Sequence, residues 1–225
     1  MKITFYGHAS LGIEVNDVNI LVDPFITPNP KASSIDIDSL EADYILITHA
    51  HQDHILDVEA IAKRTGAKII SNYEIIMYYS AKGFDGYPVN HGGTCVFNDI
   101  VIKYVNAVHT SSFPDGSYGG QPGGFVISYN NKSVYVAGDT AVTFDMKLIP
   151  MQTKLDLAIL PIGDNFTMGV DDAIIASDFV ECNKVLGCHY NTFPPIEIDE
   201  KEAIQKFNDK DKKLILLDIG NTISI

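Results

Sequence analysis

The chain has 225 residues, 46% of them hydrophobic and 20% charged, and its 16 basic and 29 acidic side chains give a formal charge of −13. This balance excludes a disordered chain, and at this length folding hides roughly 70% of the unfolded surface, so the core needs no disulfide staples. The charge excludes nucleic acid and anionic membrane surfaces as partners, because both are bound by neutralising phosphates with Lys and Arg. Arg64 is the only arginine, and residues 32–62 hold no Lys or Arg at all.

In chain order, Lys2–Tyr6, Leu11–Val15 and Val18–Val22 read as short strands, with Asn16-Asp17 as a tight hairpin connection. Asp23-Pro24-Phe25 opens a Pro/Asn-rich irregular loop, and Tyr44–Thr48 reads as an apolar strand buried on both faces. Ile55–Arg64 has helical periodicity, capped by Gly66; Ala67–Ser71 is a strand, and Tyr73–Lys82 a helix ended by Gly83. Four strands follow, Thr94–Phe97, Ile100–Val108, Gly124–Tyr129 and Ser133–Ala137, with Asn130-Asn131 as a turn. The last third alternates: strand Leu157–Ile162, helix Asp171–Val180, strand Lys184–Cys188, helix Glu200–Phe207, strand Leu214–Asp218. This order predicts a mixed α/β sandwich with helices outside two sheets, and the absence of repeats or linkers predicts one domain over residues 1–225. The longest loop, Thr110–Gly123, is read as functional or mobile.

Cys95, Cys182 and Cys188 are an odd number without CxxC spacing, which fits reduced thiols. The first residues lack the apolar block of a signal peptide, and no apolar run approaches the roughly 18 residues of a membrane span. A cytoplasmic location is expected.

The decisive segment is Thr48-His49-Ala50-His51-Gln52-Asp53-His54, directly after a predicted buried strand. Imidazole nitrogen and carboxylate oxygen are ligands for zinc and also suit manganese or iron. His49 and His51, two apart, project to one side of an extended chain, whereas Asp53 and His54 lie past a turn and face a second point. One loop can thus serve two adjacent metal positions. Further ligands belong at the ends of other strands, where His109, Asp139 and His189 stand. Each has an ordinary alternative: a strand-end histidine, a helix N-cap before Thr143–Ile149, and a partly buried core residue.

The order His-x-His-x-Asp-His, then His, Asp and His, resembles the metallo-β-lactamase superfamily. The resemblance implies a four-layered αβ/βα fold, two mixed β-sheets flanked by helices, with a metal site between the sheets. It places His49, His51 and His109 on one metal and Asp53, His54 and His189 on the other, with Asp139 bridging. Tyr6-Gly7-His8-Ala9, Leu21-Val22-Asp23-Pro24, Gly163-Asp164-Asn165-Phe166-Thr167-Met168-Gly169 and Cys188-His189-Tyr190-Asn191-Thr192-Phe193-Pro194 are similar to a small "metal-dependent hydrolase" branch. That branch is related to the L-ascorbate-6-phosphate lactonase group. Two divalent ions are implied, zinc first, with manganese, nickel or iron as alternatives. The lactonase relatives also imply a homo-oligomer as an option.

Two divalent ions, two carboxylates and a bridging hydroxide leave a site of roughly +1, suited to one developing oxyanion. The expected reaction is attack of that hydroxide on a small ester, lactone or phosphodiester, with Asp53 orienting the nucleophile and carrying a proton to the leaving group. Asp23 is the first candidate for fixing a ligand imidazole, unless it is only an Asp-Pro turn. His8 lines the pocket or meets the substrate, unless it is a strand-end histidine. Asp164 faces the metals or caps the following helix. His91 reads as a loop residue. Phe113, Tyr118, Phe166 and Phe193 are placed on loops rimming the site. Arg64, in a helix leading away, offers no guanidinium clamp for an anionic substrate. A diiron redox protein lacks an electron-donor domain here, and a metal-binding protein without catalysis would have a closed site.

Overall fold

The computed structural model describes residues 1–225. The first half contributes strands β1 (Lys2–Gly7), β2 (Ser10–Val15), β3 (Val18–Val22), β4 (Tyr44–Leu46), β5 (Lys68–Ser71) and β6 (Gly86–Pro88). The second half contributes β7 (Thr94–Phe97), β8 (Ile100–Asn106), β9 (Gly123–Tyr129), β10 (Lys132–Val136), β11 (Leu157–Pro161), β12 (Lys184–Cys188) and β13 (Lys213–Ile215), after which β14 (Thr222–Ser224) returns to the first sheet. The helices are α1 (Gln52–Ile55), α2 (Val58–Thr65), α3 (Tyr73–Ala81), α4 (Val170–Phe179) and α5 (Glu200–Asn208).

The sheets run β14-β1-β2-β3-β4-β5-β6 and β13-β12-β11-β10-β9-β8-β7. Each is antiparallel over its first hairpins and parallel where helices intervene, with the change of pattern at β3 and at β10. Strand periodicity explains the layers. Ile20, Val22, Leu46 and Ile70 point into the core between the sheets, and their neighbours Leu21, Ile45 and Ile69 point at the helices. The largest apolar cluster, 23 buried residues, lies between the sheets; one of 15 lies under α2 and α3 and one of 20 under α4 and α5. Four layers result, helix–sheet–sheet–helix, as the resemblance implied.

Three Asn/Asp pairs make the hairpins. Asn16-Asp17 and Asn130-Asn131 turn as expected and Asn98-Asp99 does the same, all with φ between 46° and 65°. Some boundaries differ from the sequence reading, for local reasons. The strand expected over Tyr44–Thr48 ends at Leu46, because the Thr48 N–H donates to Asp23 Oδ1 instead of continuing a ladder. The helix expected over Ile55–Arg64 is two pieces. Asp57 interrupts it by accepting from Ile26 N at 2.6 Å and Thr27 N at 2.9 Å, which fastens the loop after β3. Thr143, not Asp139, caps a short 3-10 segment, Phe144–Leu148, where a helix was expected. The Thr110–Gly123 loop is pinned: Asn72 Nδ2 donates to Gly119 O and Gln121 O, and Phe113 is buried against Tyr78 with centroids 3.6 Å apart.

Candidate metal centre

Strands β1, β3 and β4 run in one direction, as do β8, β10 and β12, so their carboxyl ends open on common edges. His8 follows β1, Asp23 follows β3 and His49–His54 follow β4; His109, Asp139 and His189 follow β8, β10 and β12. Carboxyl ends of parallel strands are where α/β sheets place ligands, because the chain leaves the ladder there with side chains free to converge.

They converge here into two groups, and His49, His54 and Asp139 form a third that links them. His49, His51 and His109 form one, with His49 Nε2 and His51 Nδ1 3.0 Å apart. His8, Asp53, His54 and His189 form the other, and in each group the donor atoms lie within 4.8 Å of one another. Asp139, 3% exposed, stands between. Its Oδ2 is 3.1 Å from His189 Nε2, 3.3 Å from His54 Nε2, 3.6 Å from His109 Nε2 and 3.8 Å from His49 Nε2.

The donor set fits a pair of divalent cations. His54 Nε2, both ring nitrogens of His189 and Asp139 Oδ1 are buried without a hydrogen bond. Each such atom costs roughly 1–3 kcal/mol when left unpaired, and His54 Nε2 and His189 Nε2 both lie within 3.3 Å of Asp139 Oδ2, where a cation would satisfy them together. Imidazole and carboxylate donors in that number match zinc, manganese or iron chemistry.

Outer partners fix the rings. Asp23 Oδ2 takes the Nδ1 proton of His54 at 2.9 Å and the Thr48 hydroxyl at 2.6 Å. With its hydrogen committed to Asp23, Thr48 Oγ1 accepts from His49 Nδ1 at 3.0 Å, which leaves His49 Nε2 free to face the centre. Ser111 Oγ accepts from Ala50 N, between His49 and His51, and donates to Gly119 O. Thr110 Oγ1 lies 3.3 Å from His51 Nε2. His8 bonds Thr192 Oγ1 through Nδ1 at 2.9 Å and Asp53 Oδ2 through Nε2 at 3.1 Å.

The electrostatics follow the burial. His8 is pushed down to about 4 by burial, so its contact with Asp53 is a hydrogen bond of a neutral ring rather than an ion pair. Burial also opposes charge on His54, but Asp139 and Asp23 override it and hold its pKa well above the usual histidine range. Asp139 is held well below the carboxylate range: burial acts against this, and His189 and His54 outweigh it. Asp53 is lowered too, against burial, by the His8 hydrogen bond and by His54.

Asp164, read from the sequence as facing the metals or capping the following helix, is not brought into either group. It sits exposed on a turn with φ of 60°, its Oδ1 accepts from Asn165 N, and it lines an open cavity with Asp171, Asp172, Glu197 and Lys206. Nor does it cap α4 by a hydrogen bond; the N-cap is Gly169. Phe113 is core rather than rim, Tyr118 and Phe166 are exposed, and Phe193 packs edge-on against His8. His91 is a loop anchor, bonding Pro122 O. Arg64 is spent on the backbone carbonyls of Ile37 and Leu40, away from the centre. Sequence reasoning missed Thr192 and Ser111. Thr48 adjoins His49 and was the one missed partner with a local signal.

Residues 2–189 match the beta-lactamase superfamily domain, and with the four-layered fold and the two donor groups this places the chain in the metallo-β-lactamase superfamily. Fold, donor groups and family together define a metal-dependent hydrolase with a binuclear metal site. Within the superfamily the chain belongs to the UPF0173 metal-dependent hydrolase branch. It is 65% identical over 226 residues to the UPF0173 metal-dependent hydrolase of Christiangramia forsetii and 65% identical over 225 residues to that of Flavobacterium johnsoniae, with 100% of each chain covered in both cases. Among solved structures it is similar to Igni18, a novel metallo hydrolase from the archaeon Ignicoccus hospitalis, at 36% identity and a TM-score of 0.89, covering 99% of this chain and 97% of that one. None of these three is named as an ascorbate-6-phosphate lactonase.

Proposed function

We propose that His49, His51 and His109 hold one divalent ion, that Asp53, His54 and His189 hold a second, and that Asp139 bridges them. The observation that carries this reading is the place of Asp139 Oδ2, within 3.8 Å of an imidazole nitrogen from four histidines that come from three different strand ends. Zinc is the first choice, with manganese, nickel or iron as alternatives that the same donors accept. When bound, such a pair supplies a hydroxide at neutral pH and Lewis acidity toward a substrate oxygen.

The chain's own residues do the rest. Asp53 is the carboxylate with access to solvent, 31% exposed in its side chain against 3% for Asp139, so it is the one able to exchange a proton with a leaving group. Its Oδ2 is held by His8, which sets the direction in which the carboxylate faces. Asp23 and Thr48 keep His54 and His49 in the tautomers that turn Nε2 inward. The substrate is a small neutral or weakly anionic ester, lactone or phosphodiester. No arginine reaches the centre, and the acidic surface repels strong anions. The lactone class rests on the sequence resemblance to the L-ascorbate-6-phosphate lactonase group alone.

Residues 1–225 act as one hydrolase domain in this reading. A cytoplasmic setting is supported by three free, buried cysteines, and no helix is long and apolar enough to cross a membrane. The test is a screen of the metal-loaded wild type and Asp53→Ala against phosphodiester, lactone, thioester and β-lactam substrates. Turnover by the wild type that falls at least about a hundredfold in Asp53→Ala is expected; undiminished turnover overturns the role given to Asp53.

A further inference from the structure

His8 is built like the ligands rather than like a bystander. Its side chain is fully buried, its Nδ1 is held from outside by Thr192 Oγ1, and its Nε2 points into the donor group with Asp53, His54 and His189. The same division, one ring nitrogen on an outer oxygen and the other facing the centre, describes His54 on Asp23 and His49 on Thr48. Its backbone is left-handed, φ 56°, a conformation that costs a residue with a side chain free energy and persists where the surroundings enforce it. His189 shares this conformation, φ 53°, and the two are tied together, since His189 N donates to His8 O at 2.7 Å and their rings lie 4.1 Å apart.

The His8–Asp53 distance agrees with shared coordination. Two donors each about 2.1 Å from one ion are about 3.0 Å apart at a right angle and about 3.4 Å apart at the tetrahedral angle. His8 Nε2 and Asp53 Oδ2 are 3.1 Å apart, much like His49 Nε2 and His51 Nδ1 at 3.0 Å in the first group.

We propose that His8 is an eighth protein ligand, taking the second divalent ion through Nε2 beside Asp53, His54 and His189; the ion then replaces the Nε2 proton that bonds Asp53 in the metal-free protein, and the ring's proton moves to Nδ1, which donates to Thr192 Oγ1. The inference rests on the binuclear reading above and goes beyond it by one ligand. It makes the two positions unequal: four donors of its own at the second against three at the first, with Asp139 as the bridge proposed above. The less saturated first position is then the one left to receive the substrate oxygen.

The test is sequential loading of chelator-stripped wild type and His8→Gly with zinc, read by competition with a chromophoric chelator, and with cobalt, read by its visible absorption. Glycine adopts the left-handed backbone without cost, so the substitution removes the ring and not the turn. Removing the His8 ring leaves space beside a cavity of about 430 Å³ lined by Thr192 and Asn29, and free imidazole is added as the replacement ring. The expected result is wild-type affinity for the first ion, at least tenfold weaker binding of the second with an altered cobalt spectrum, and recovery of both on adding imidazole. Two ions held by His8→Gly with wild-type affinity and spectrum overturn the proposal while sparing the binuclear reading. A wild type that binds fewer than two ions overturns that reading itself and this inference with it. If His8→Gly does not fold, the ¹⁵N resonance of His8 Nε2 in the wild type decides: a shift to the metal-coordinated range on adding the second equivalent of zinc supports coordination, and an unmoved resonance refutes it.

Discussion

Asp139 and Asp164 make an instructive pair. Each stands three residues beyond the end of a strand, β10 and β11, and those strands are parallel neighbours in one sheet. Asp139 ends up buried among imidazoles, and Asp164 ends up in solvent. The connecting glycines separate them. Gly138, φ 64°, lies so close to Thr48 that a Cβ there would come within 2.7 Å of the Thr48 side chain, and this approach draws Asp139 across to the other sheet's ligand loop. Gly163 instead backs onto the His189 carbonyl, and the left-handed pair Asp164-Asn165 turns the carboxylate outward. Position after a strand makes a carboxylate available. The packing of the turn decides whether water or imidazole is its partner.

Substitutions at the two positions should therefore part widely. Asp139→Ala is expected to lose binuclear loading and to lower activity by more than about a hundredfold, since even partners outside the ligand sphere cost 10–100-fold. Ion content and turnover measured together check this. Asp23→Asn is expected at about 10–100-fold weaker metal binding, because it alone holds His54 Nδ1; chelator competition reads it.

The pH response is a third separation. In the metal-free protein His54 has a pKa raised above its ordinary 6.5. Its stabilising share is complete below about pH 6.5 and is lost as pH rises through the folded-state value. A metal must displace that proton, so affinity rises with pH over the same window. The melting temperature of chelated protein is expected to fall, relative to that of metal-loaded protein, as pH rises above about 6.5. Smallest of all, Asp164→Asn should leave ion content and turnover at wild-type levels and stability within about 0.5 kcal/mol, as for other exposed positions. A loss of metal in Asp164→Asn would break the contrast.

The ligand loop was legible because His49, His51, Asp53 and His54 fall within six residues after an apolar strand, and a local spacing survives in any fold. Asp23 was legible for a similar reason, as an acid directly after a strand. Asp164 also follows a strand, but the sequence leaves its direction open, since Gly163 before it packs against the distant His189 carbonyl. Thr192 was illegible: its bond to His8 spans 184 positions. The break between α1 and α2 was hidden likewise, because Asp57 works on a loop 30 residues earlier. Strands β6 and β14, three residues each, carry too short a pattern to announce themselves and are strands by virtue of their neighbours.

The central claim is that a single carboxylate, Asp139, joins two metal positions. Elemental analysis of the purified protein, with wild type and Asp139→Ala compared side by side, tests it most directly. Two ions per chain in the wild type, and fewer than two in Asp139→Ala, is the predicted result. One ion or none in a wild type purified both aerobically and anaerobically, or two ions retained in Asp139→Ala, contradicts it.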